Sequence, residues 1–166
     1  TIDNTLKCVD EEYIKMFPNS LLKQGDFIFA DTSEDLGGSG NCTYVSGEKN
    51  IFAGYHTIIA RPCTRVHSRF LAYLFSSEKH RNQIRYKVKG VKVYSITQTI
   101  LKEVKSIFPP IKEQSAIATF LDNKTTIIDK AIQNYQVQIN KLKEYKSSLI
   151  DSAVTGKIKV IEEMDG

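Results

Sequence analysis

The sequence predicts an α+β protein in which a small mixed β-sheet domain with short helices precedes one long coiled-coil-type α-helix. Hydrophobic residues repeat every seven positions near the C-terminal end, with no proline or glycine among them. Short apolar runs bounded by glycine and proline, typical of strands, come earlier. The 166 residues leave room for one core of about 100 residues beside a helix of about 45.

Local patterns place the elements of the domain in order. We expect a helix at Asp10–Met16, which Pro18 ends, and strands at Phe27–Ala30, Cys42–Val45 and Ile51–Ala60. A helix at Ser68–Asn82 should follow, and then a basic β-hairpin or extended loop at Arg85–Tyr94. Ser95 and Gln98 form a capping-box pattern for a short helix through Glu103, and a last strand is expected at Val104–Phe108. The segment Asp31–Asn41 contains three glycines and is expected to be a loop.

The long helix is expected from Glu113 to Thr155, between Pro109-Pro110 and Gly156. At about 1.5 Å per residue it would be about 65 Å long, more than this domain can cover, so we expect a spacer arm as well as an interface. Plain oligomerisation or bundle packing is the alternative. The expected interface residues on its apolar seam are Leu121, Ile128, Ile132, Tyr135, Ile139, Leu142 and Leu149.

Positive charge is concentrated in one part of the chain. The net charge is +4, but residues 61–105 hold eleven Lys/Arg against two Asp/Glu, whereas residues 1–60 hold four against nine. A basic stretch of this kind indicates a surface that faces phosphates. A merely solvated basic face is the alternative.

Two segments are candidates for contact with double-stranded DNA. The stretch 81–98 combines long cations, which suit phosphates, with hydroxyl and amide groups, which suit base edges. In the glycine-rich loop 31–41, small residues and hydroxyls let the backbone approach a groove; a nucleotide cradle there is disfavoured because the order of a phosphate-binding loop is missing. The candidate DNA-binding residues are Arg81, Arg85, Lys87, Lys89, Lys92, Tyr94, Gln98, Ser33 and Ser39.

The sequence shows no pattern typical of catalysis, metal binding or membrane insertion. Cys8, Cys42 and Cys63 form no close pair, which favours a reducing compartment and hence the cytoplasm, and the three histidines lack zinc-ligand spacing. A nuclease would need clustered carboxylates, and the nearest cluster, around Asp26 and Asp31, is more typical of turn residues. No apolar run approaches the length of about 18 residues that a membrane span requires. We therefore expect no catalytic residue, no metal, no cofactor and no membrane partner.

Motifs along the helix carry a more specific signal. Pro109-Pro110-Ile111-Lys112-Glu113-Gln114, Leu142-Lys143-Glu144-Tyr145-Lys146 and Ala153-Val154-Thr155-Gly156-Lys157-Ile158 resemble the conserved spacer region of the specificity subunits of type I restriction-modification systems. Leu22–Phe29 and Phe70–Ser77 resemble, more loosely, the distal part of such a subunit's target-recognition domain.

The resemblance implies a noncatalytic, sequence-specific DNA-recognition subunit. It would direct a partner adenine methyltransferase subunit and a restriction subunit to a bipartite target, and S-adenosylmethionine and ATP/Mg would be bound only by those partners. Residues 1–108 would be a partial recognition domain, 109–156 the spacer and dimerisation helix, and 157–166 a tail. The chain is then either the C-terminal piece of a full subunit or a half subunit that forms a homodimer through antiparallel helices. A coiled-coil interaction adaptor without DNA binding is the alternative.

Overall fold

The computed structural model describes residues 9–47, 50–90 and 92–160 and confirms the predicted α+β class. In chain order the elements are α1 (Glu11–Met16), a 3-10 turn (Pro18–Ser20), β1 (Phe27–Ala30), β2 (Thr32–Ser33), β3 (Cys42–Tyr44), β4 (Thr57–Ala60), α2 (Ser68–Ser76), α3 (Glu78–Arg85), β5 (Tyr94–Ser95), α4 (Gln98–Lys102) and α5 (Ile111–Val154). The chain divides into two compact units, one ending at Ala118 and the other beginning at Thr119.

A three-stranded antiparallel sheet, ordered β3-β1-β4, forms the centre of the first unit. Side chains alternate across the central strand, so that Phe27 and Phe29 are buried together on one face. Helix α2 covers this face, and its Phe75 ring packs edge-on against Phe27 with the ring centroids 4.9 Å apart. Leu71, Ile84 and Ile96 complete the core.

The helix predicted at Ser68–Asn82 is in fact two helices, because Ser77 ends α2 and begins α3. Its hydroxyl donates to the carbonyl of Leu74 at 2.7 Å and accepts the N–H of His80 at 3.4 Å. Its backbone is extended, with ψ of 141°. A serine that bonds the neighbouring backbone in this way competes with the helical hydrogen bonds.

The predicted last strand at Val104–Phe108 is also wrong, because a side chain satisfies the backbone that a strand would have paired. The Gln83 amide accepts the N–H of Lys105 at 3.0 Å and donates to its carbonyl at 2.9 Å. Among the described residues, 104–108 pair with no strand. The side chain of Gln83 on α3 thus satisfies the backbone groups of Lys105 that a neighbouring strand would otherwise have bonded.

Further boundaries differ from the prediction. Thr32–Ser33, inside the segment expected to be a loop, form β2, and β3 ends at Tyr44 instead of Val45. Helix α4 is capped by Thr97, whose hydroxyl accepts the Ile100 N–H at 3.3 Å, while Ser95 belongs to β5. Only the last four residues of Ile51–Ala60 form a strand. The basic segment Arg85–Tyr94, predicted as a β-hairpin or an extended loop, begins with the last residue of α3, and Lys89 forms a single antiparallel bridge with Ser95; Val91 lies outside the described part of the chain.

Helix α5 begins inside the first unit. Gln114 is buried there; its side-chain amide donates to the Pro109 carbonyl at 2.8 Å, and its oxygen accepts the His67 N–H at 2.9 Å. Ala118, one turn later, is buried as well. The helix continues to Val154 without a break, 44 residues in all, and Gly156 follows in the left-handed conformation with φ of 74°.

The apolar seam of α5 is largely uncovered in this chain. We call the seven predicted interface residues the α5 seam: Leu121, Ile128, Ile132, Tyr135, Ile139, Leu142 and Leu149. Leu121 is partly buried, whereas the other six are between 43% and 66% exposed. None of the helices in the described part of the chain has both the length and the apolar character needed to cross a bilayer.

Candidate nucleic-acid interface

Strands β2 and β5 bring the two candidate segments of the sequence together. They form a two-stranded antiparallel ribbon in which Ser33 faces Tyr94 and Thr32 faces Ser95. Lys89 also forms an isolated bridge to Ser95. We call Thr32–Ser33 and Tyr94–Ser95 the β2–β5 ribbon. Ser33 and Tyr94 were predicted as candidates in separate segments, and their pairing was not predicted, since no local pattern indicates contact between residues so far apart in the chain.

The glycine-rich loop that follows β2 is held by bonds to Asp35. Its carboxylate accepts the Gly38 N–H at 2.5 Å, and its carbonyl accepts the hydroxyls of Ser33 at 2.7 Å and Ser39 at 3.4 Å. Gly40 has φ of 84°, and a Cβ there would lie 2.8 Å from Ile84 Cδ1. The loop is therefore a defined turn, and Ser39 is fully buried within it.

Arg81 and Arg85 direct their guanidinium groups at this loop. Both donate to the carbonyl of Gly37, Arg85 at 2.7 Å. Arg85 also pairs with Glu78 at 2.6 Å and donates to the Asn82 side chain at 2.9 Å. With side chains only 19% and 18% exposed, the two arginines connect α3 to the loop.

The lysines of the basic segment fall into two groups. Lys87 forms an ion pair with Glu103. Lys89 and Lys92 are exposed, and neither pairs with a carboxylate among the described residues. These two side chains thus carry positive charge that is available to a ligand next to the β2–β5 ribbon.

Gln98, the first residue of α4, lines a cavity of about 550 Å³. This cavity is lined mainly by apolar side chains, among them Phe27, Leu101 and Phe108. None of the other candidate DNA-binding residues lines it.

Arg61, a further cation of the basic stretch, forms an ion pair with a buried carboxylate. The buried carboxylate of Asp26 accepts two bonds from Arg61, at 2.8 Å and 2.7 Å, and one from the Lys23 backbone N–H at 2.7 Å. The hydrogen bond with Arg61, opposed by burial and assisted by Lys23, lowers the pKa of Asp26. Asp26 is thus a structural partner of Arg61 that fixes the start of β1.

The described residues contain no group of three or more His, Cys, Asp or Glu side chains arranged to hold a metal ion. Burial raises the pKa of the Cys42 thiol to about 11, which keeps it protonated, and Cys63 is exposed and free. Cys8, the third cysteine, lies outside the described residues. The charged groups near the ribbon are suited to contacting an anionic ligand.

Comparison with known proteins identifies the family. The family model described as "Type I restriction modification DNA specificity domain" matches residues 4–144. The chain is 24% identical over 159 residues to the type I restriction enzyme MjaVIII specificity subunit of Methanocaldococcus jannaschii, covering 94% of this chain and 36% of the relative. It is 26% identical over 100 residues to the type I restriction enzyme EcoKI specificity subunit of Escherichia coli K12, covering 60% and 22%. The chain thus spans little more than a third of the first relative's length. Because the family model covers most of the sequence, this chain belongs to the type I restriction-modification DNA specificity family.

Proposed function

We propose that this chain is a sequence-specific DNA-recognition subunit that directs a partner adenine methyltransferase and a restriction endonuclease to a bipartite target. The observation that carries the proposal is the β2–β5 ribbon, which joins the two polar segments beside the free cations Lys89 and Lys92. A two-stranded ribbon fits the major groove of B-DNA, where base edges are distinguishable. Membership of the DNA specificity family supports the same conclusion.

Within this interface the candidate residues take different roles. Lys89 and Lys92 contact phosphates and position the ribbon, while Tyr94 contacts base edges. Ser33 faces Tyr94 on the ribbon; its hydroxyl donates to the Asp35 carbonyl and can still accept a bond from a base edge. Arg81 and Arg85 act indirectly by holding the glycine-rich loop, since their guanidinium groups already bind Gly37. Three candidates contribute less to DNA binding. Lys87 forms an ion pair with Glu103, Gln98 lines the apolar cavity, and Ser39 is buried.

The chain itself performs no catalysis under this proposal. S-adenosylmethionine, ATP and Mg²⁺ are bound by the methyltransferase and restriction subunits, and the complex acts on DNA in the cytoplasm. Residues 1–108 serve as the recognition domain, 109–156 as the spacer, and 157–166 as a tail. The assignment rests on the family, whose specificity subunits choose the site while their partners carry out the reaction.

The α5 seam supports a role for the helix as interface and spacer. Six of its seven residues are at least 43% exposed, and a second helix would cover them. We propose an antiparallel helix pair, formed either with a second copy of this chain or with a second spacer in a longer subunit. Because the helix is rigid, its length would set the distance between the two halves of the DNA target.

The test is the affinity of the purified chain for duplex DNA across a salt series. We expect affinity to fall steeply with salt. The double variant Lys89→Gln/Lys92→Gln should lower the slope of log K against log salt by about 2, because each lysine that neutralises a phosphate contributes about one unit. The matched control, Lys15→Gln/Lys141→Gln, removes two exposed lysines elsewhere and should leave the slope unchanged. If the wild-type chain with its methyltransferase partner fails to bind DNA at low salt, an interaction adaptor replaces this proposal.

A further inference from the structure

The turn before β4 presents an exposed aromatic side chain that the proposed interface has not used. Tyr55 is 90% exposed, and its ring lies 4.1 Å from the ring of His56, centroid to centroid. Aromatic residues are enriched in binding surfaces, where a rigid ring and a polar tip provide contact with little loss of conformational entropy. Such a residue on a defined turn is therefore a candidate for binding.

Hydrogen bonds on both sides hold this turn in place. The Thr57 hydroxyl donates to the Gly54 carbonyl and closes the turn. The Asp31 N–H donates to the His56 carbonyl at 3.2 Å, and His56 Nδ1 lies 3.3 Å from each carboxylate oxygen of Asp31. His56, whose ring is tilted by 43° against that of Tyr55, is thus fixed through its backbone and its side chain.

Asp31 also connects the turn to the β2–β5 ribbon. It immediately precedes β2, and its carbonyl accepts the N–H of Ile96, the residue immediately after β5, at 2.7 Å. One residue therefore contacts both the Tyr55 turn and the end of the ribbon. Its carboxylate is hydrogen-bonded to His56 Nδ1, 3.3 Å from each oxygen.

We infer that Tyr55 contacts a DNA phosphate, with His56 and Asp31 as its positioning residues; the inference rests on the proposed function. Phosphates border the major groove on both sides, so an element attached to the end of a ribbon in the groove meets the backbone. The phenolic O–H donates to a phosphate oxygen, a contact that tyrosine makes in protein–DNA complexes. Since tyrosine is neutral, this contact adds affinity without releasing counterions.

The experiment measures binding of the 166-residue chain to a random-sequence duplex of about 30 base pairs, long enough to cover one domain, across a salt series. Tyr55→Phe removes only the hydroxyl and should weaken binding by about 3- to 10-fold, the value of one hydrogen bond. The salt slope should stay at the wild-type value, unlike that of the Lys89→Gln/Lys92→Gln variant. Tyr145→Phe, an exposed tyrosine on α5, is the matched control and should bind as the wild type does.

A double-mutant cycle tests the positioning role of His56. His56→Ala should weaken binding when Tyr55 is present and have little further effect in the Tyr55→Phe background, because both changes act on the same bond to phosphate. Unchanged binding by Tyr55→Phe, with wild-type binding intact, would overturn the inference alone. A loss seen only on one preferred sequence would also overturn it, because it would assign Tyr55 to a base. If the wild-type chain does not bind the duplex even with its methyltransferase partner, the proposed function and this inference fail together.

Discussion

Arg85 Nη2 donates to the carbonyl of Gly37 at 2.7 Å, although 48 residues separate the two in the chain. This bond fastens the glycine-rich loop to helix α3. The same guanidinium group pairs with Glu78 on its own helix, which orients it toward the loop. Arg85 therefore holds the glycine-rich loop of the candidate interface in place, and its positive charge is paired with Glu78 within the protein.

Replacing Arg85 by alanine tests whether this residue holds the glycine-rich loop or contacts a DNA phosphate directly. We expect Arg85→Ala to reduce DNA affinity by about 3- to 10-fold through loss of the Gly37 bond, with an unchanged salt slope. Fluorescence anisotropy with labelled duplex across a salt series measures both quantities. Lys89→Ala is the control, and it should lower the slope by about 0.9. A comparable fall in slope for Arg85→Ala would instead mean that Arg85 contacts a phosphate directly.

Asp26 should support stability down to low pH. Because Arg61 lowers the pKa of Asp26 from 3.8, this carboxylate stays ionised in the folded chain at pH values where it takes up a proton in the unfolded chain. The free energy of unfolding therefore decreases as pH falls below 3.8 toward the lowered pKa. Asp26→Asn should cost about 2–3 kcal/mol at pH 7 and flatten this acid dependence, as measured by urea unfolding. Asp129→Asn, on the exposed surface of α5, should change neither; equal effects of the two variants would refute the structural role of Asp26.

His80 should make the free energy of unfolding depend on pH in a second range, at higher pH than that of Asp26. It is buried against Phe75, and burial lowers its pKa from 6.5. Below pH 6.5 the unfolded chain binds a proton that folded His80 resists, so the free energy of unfolding falls as pH decreases toward the lowered pKa. Urea unfolding at about pH 7.5 and pH 5.5, on either side of the ordinary histidine pKa, measures this loss.

His80→Leu should remove the loss on acidification because it keeps the packing and deletes the titrating group. Nδ1 of His80 is buried without a hydrogen-bond partner in the described structure, so leucine leaves no bond broken there. His56→Gln, at an exposed histidine, should retain the loss. If His80→Leu unfolds with the same pH dependence as the wild type, another group is responsible.

Gln114 should matter more to stability than any exposed glutamine of the helix. Gln114→Ala leaves the Pro109 carbonyl and the His67 N–H without their partner, and we expect a loss of about 2–4 kcal/mol. Gln133→Ala, at an exposed position of α5, should stay within about 0.5 kcal/mol of the wild type. Urea unfolding followed by circular dichroism measures both. Similar values for the two variants would show that the first turns of α5 are not anchored by Gln114.

The α5 seam should decide whether the chain self-associates. If two copies pair through their helices, Ile139→Asp should raise the dimer dissociation constant by at least about 10-fold, because it places a charge in an apolar interface. Light scattering over a concentration series measures the change. Val137→Asp, at a similarly exposed position off the seam, should have a much smaller effect. Equal effects of the two variants would argue against the heptad seam as the interface.

Patterns that repeat along the chain predicted structure well, and contacts between distant residues did not follow from them. The long helix was expected from Glu113 to Thr155 and extends from Ile111 to Val154, because its seven-residue repeat is a local property. The first strand, Phe27–Ala30, was predicted to the residue from its apolar run.

The arrangement of the interface depends on contacts that local patterns do not encode. Local patterns predict the loop 31–41 and the stretch 81–98 as separate candidates, and the pairing of Ser33 with Tyr94 unites them. Composition also places Arg81 with the exposed lysines, since it does not reveal that a cation has a carbonyl partner inside the protein. Likewise, no local pattern indicates that Gln83 replaces a strand partner for Lys105.

The position of Gln114 determines where another domain could be joined to this helix. Since the first two turns of α5 fold as part of the first unit, a gene fusion that joined a foreign domain at Pro109 would break the bonds to Pro109 and His67. A crossover placed after Ala118 keeps them, and it leaves the rest of the helix as a common stem. Under the proposed function, chimaeras made at that junction should combine the donor's target with the recipient's half-site spacing.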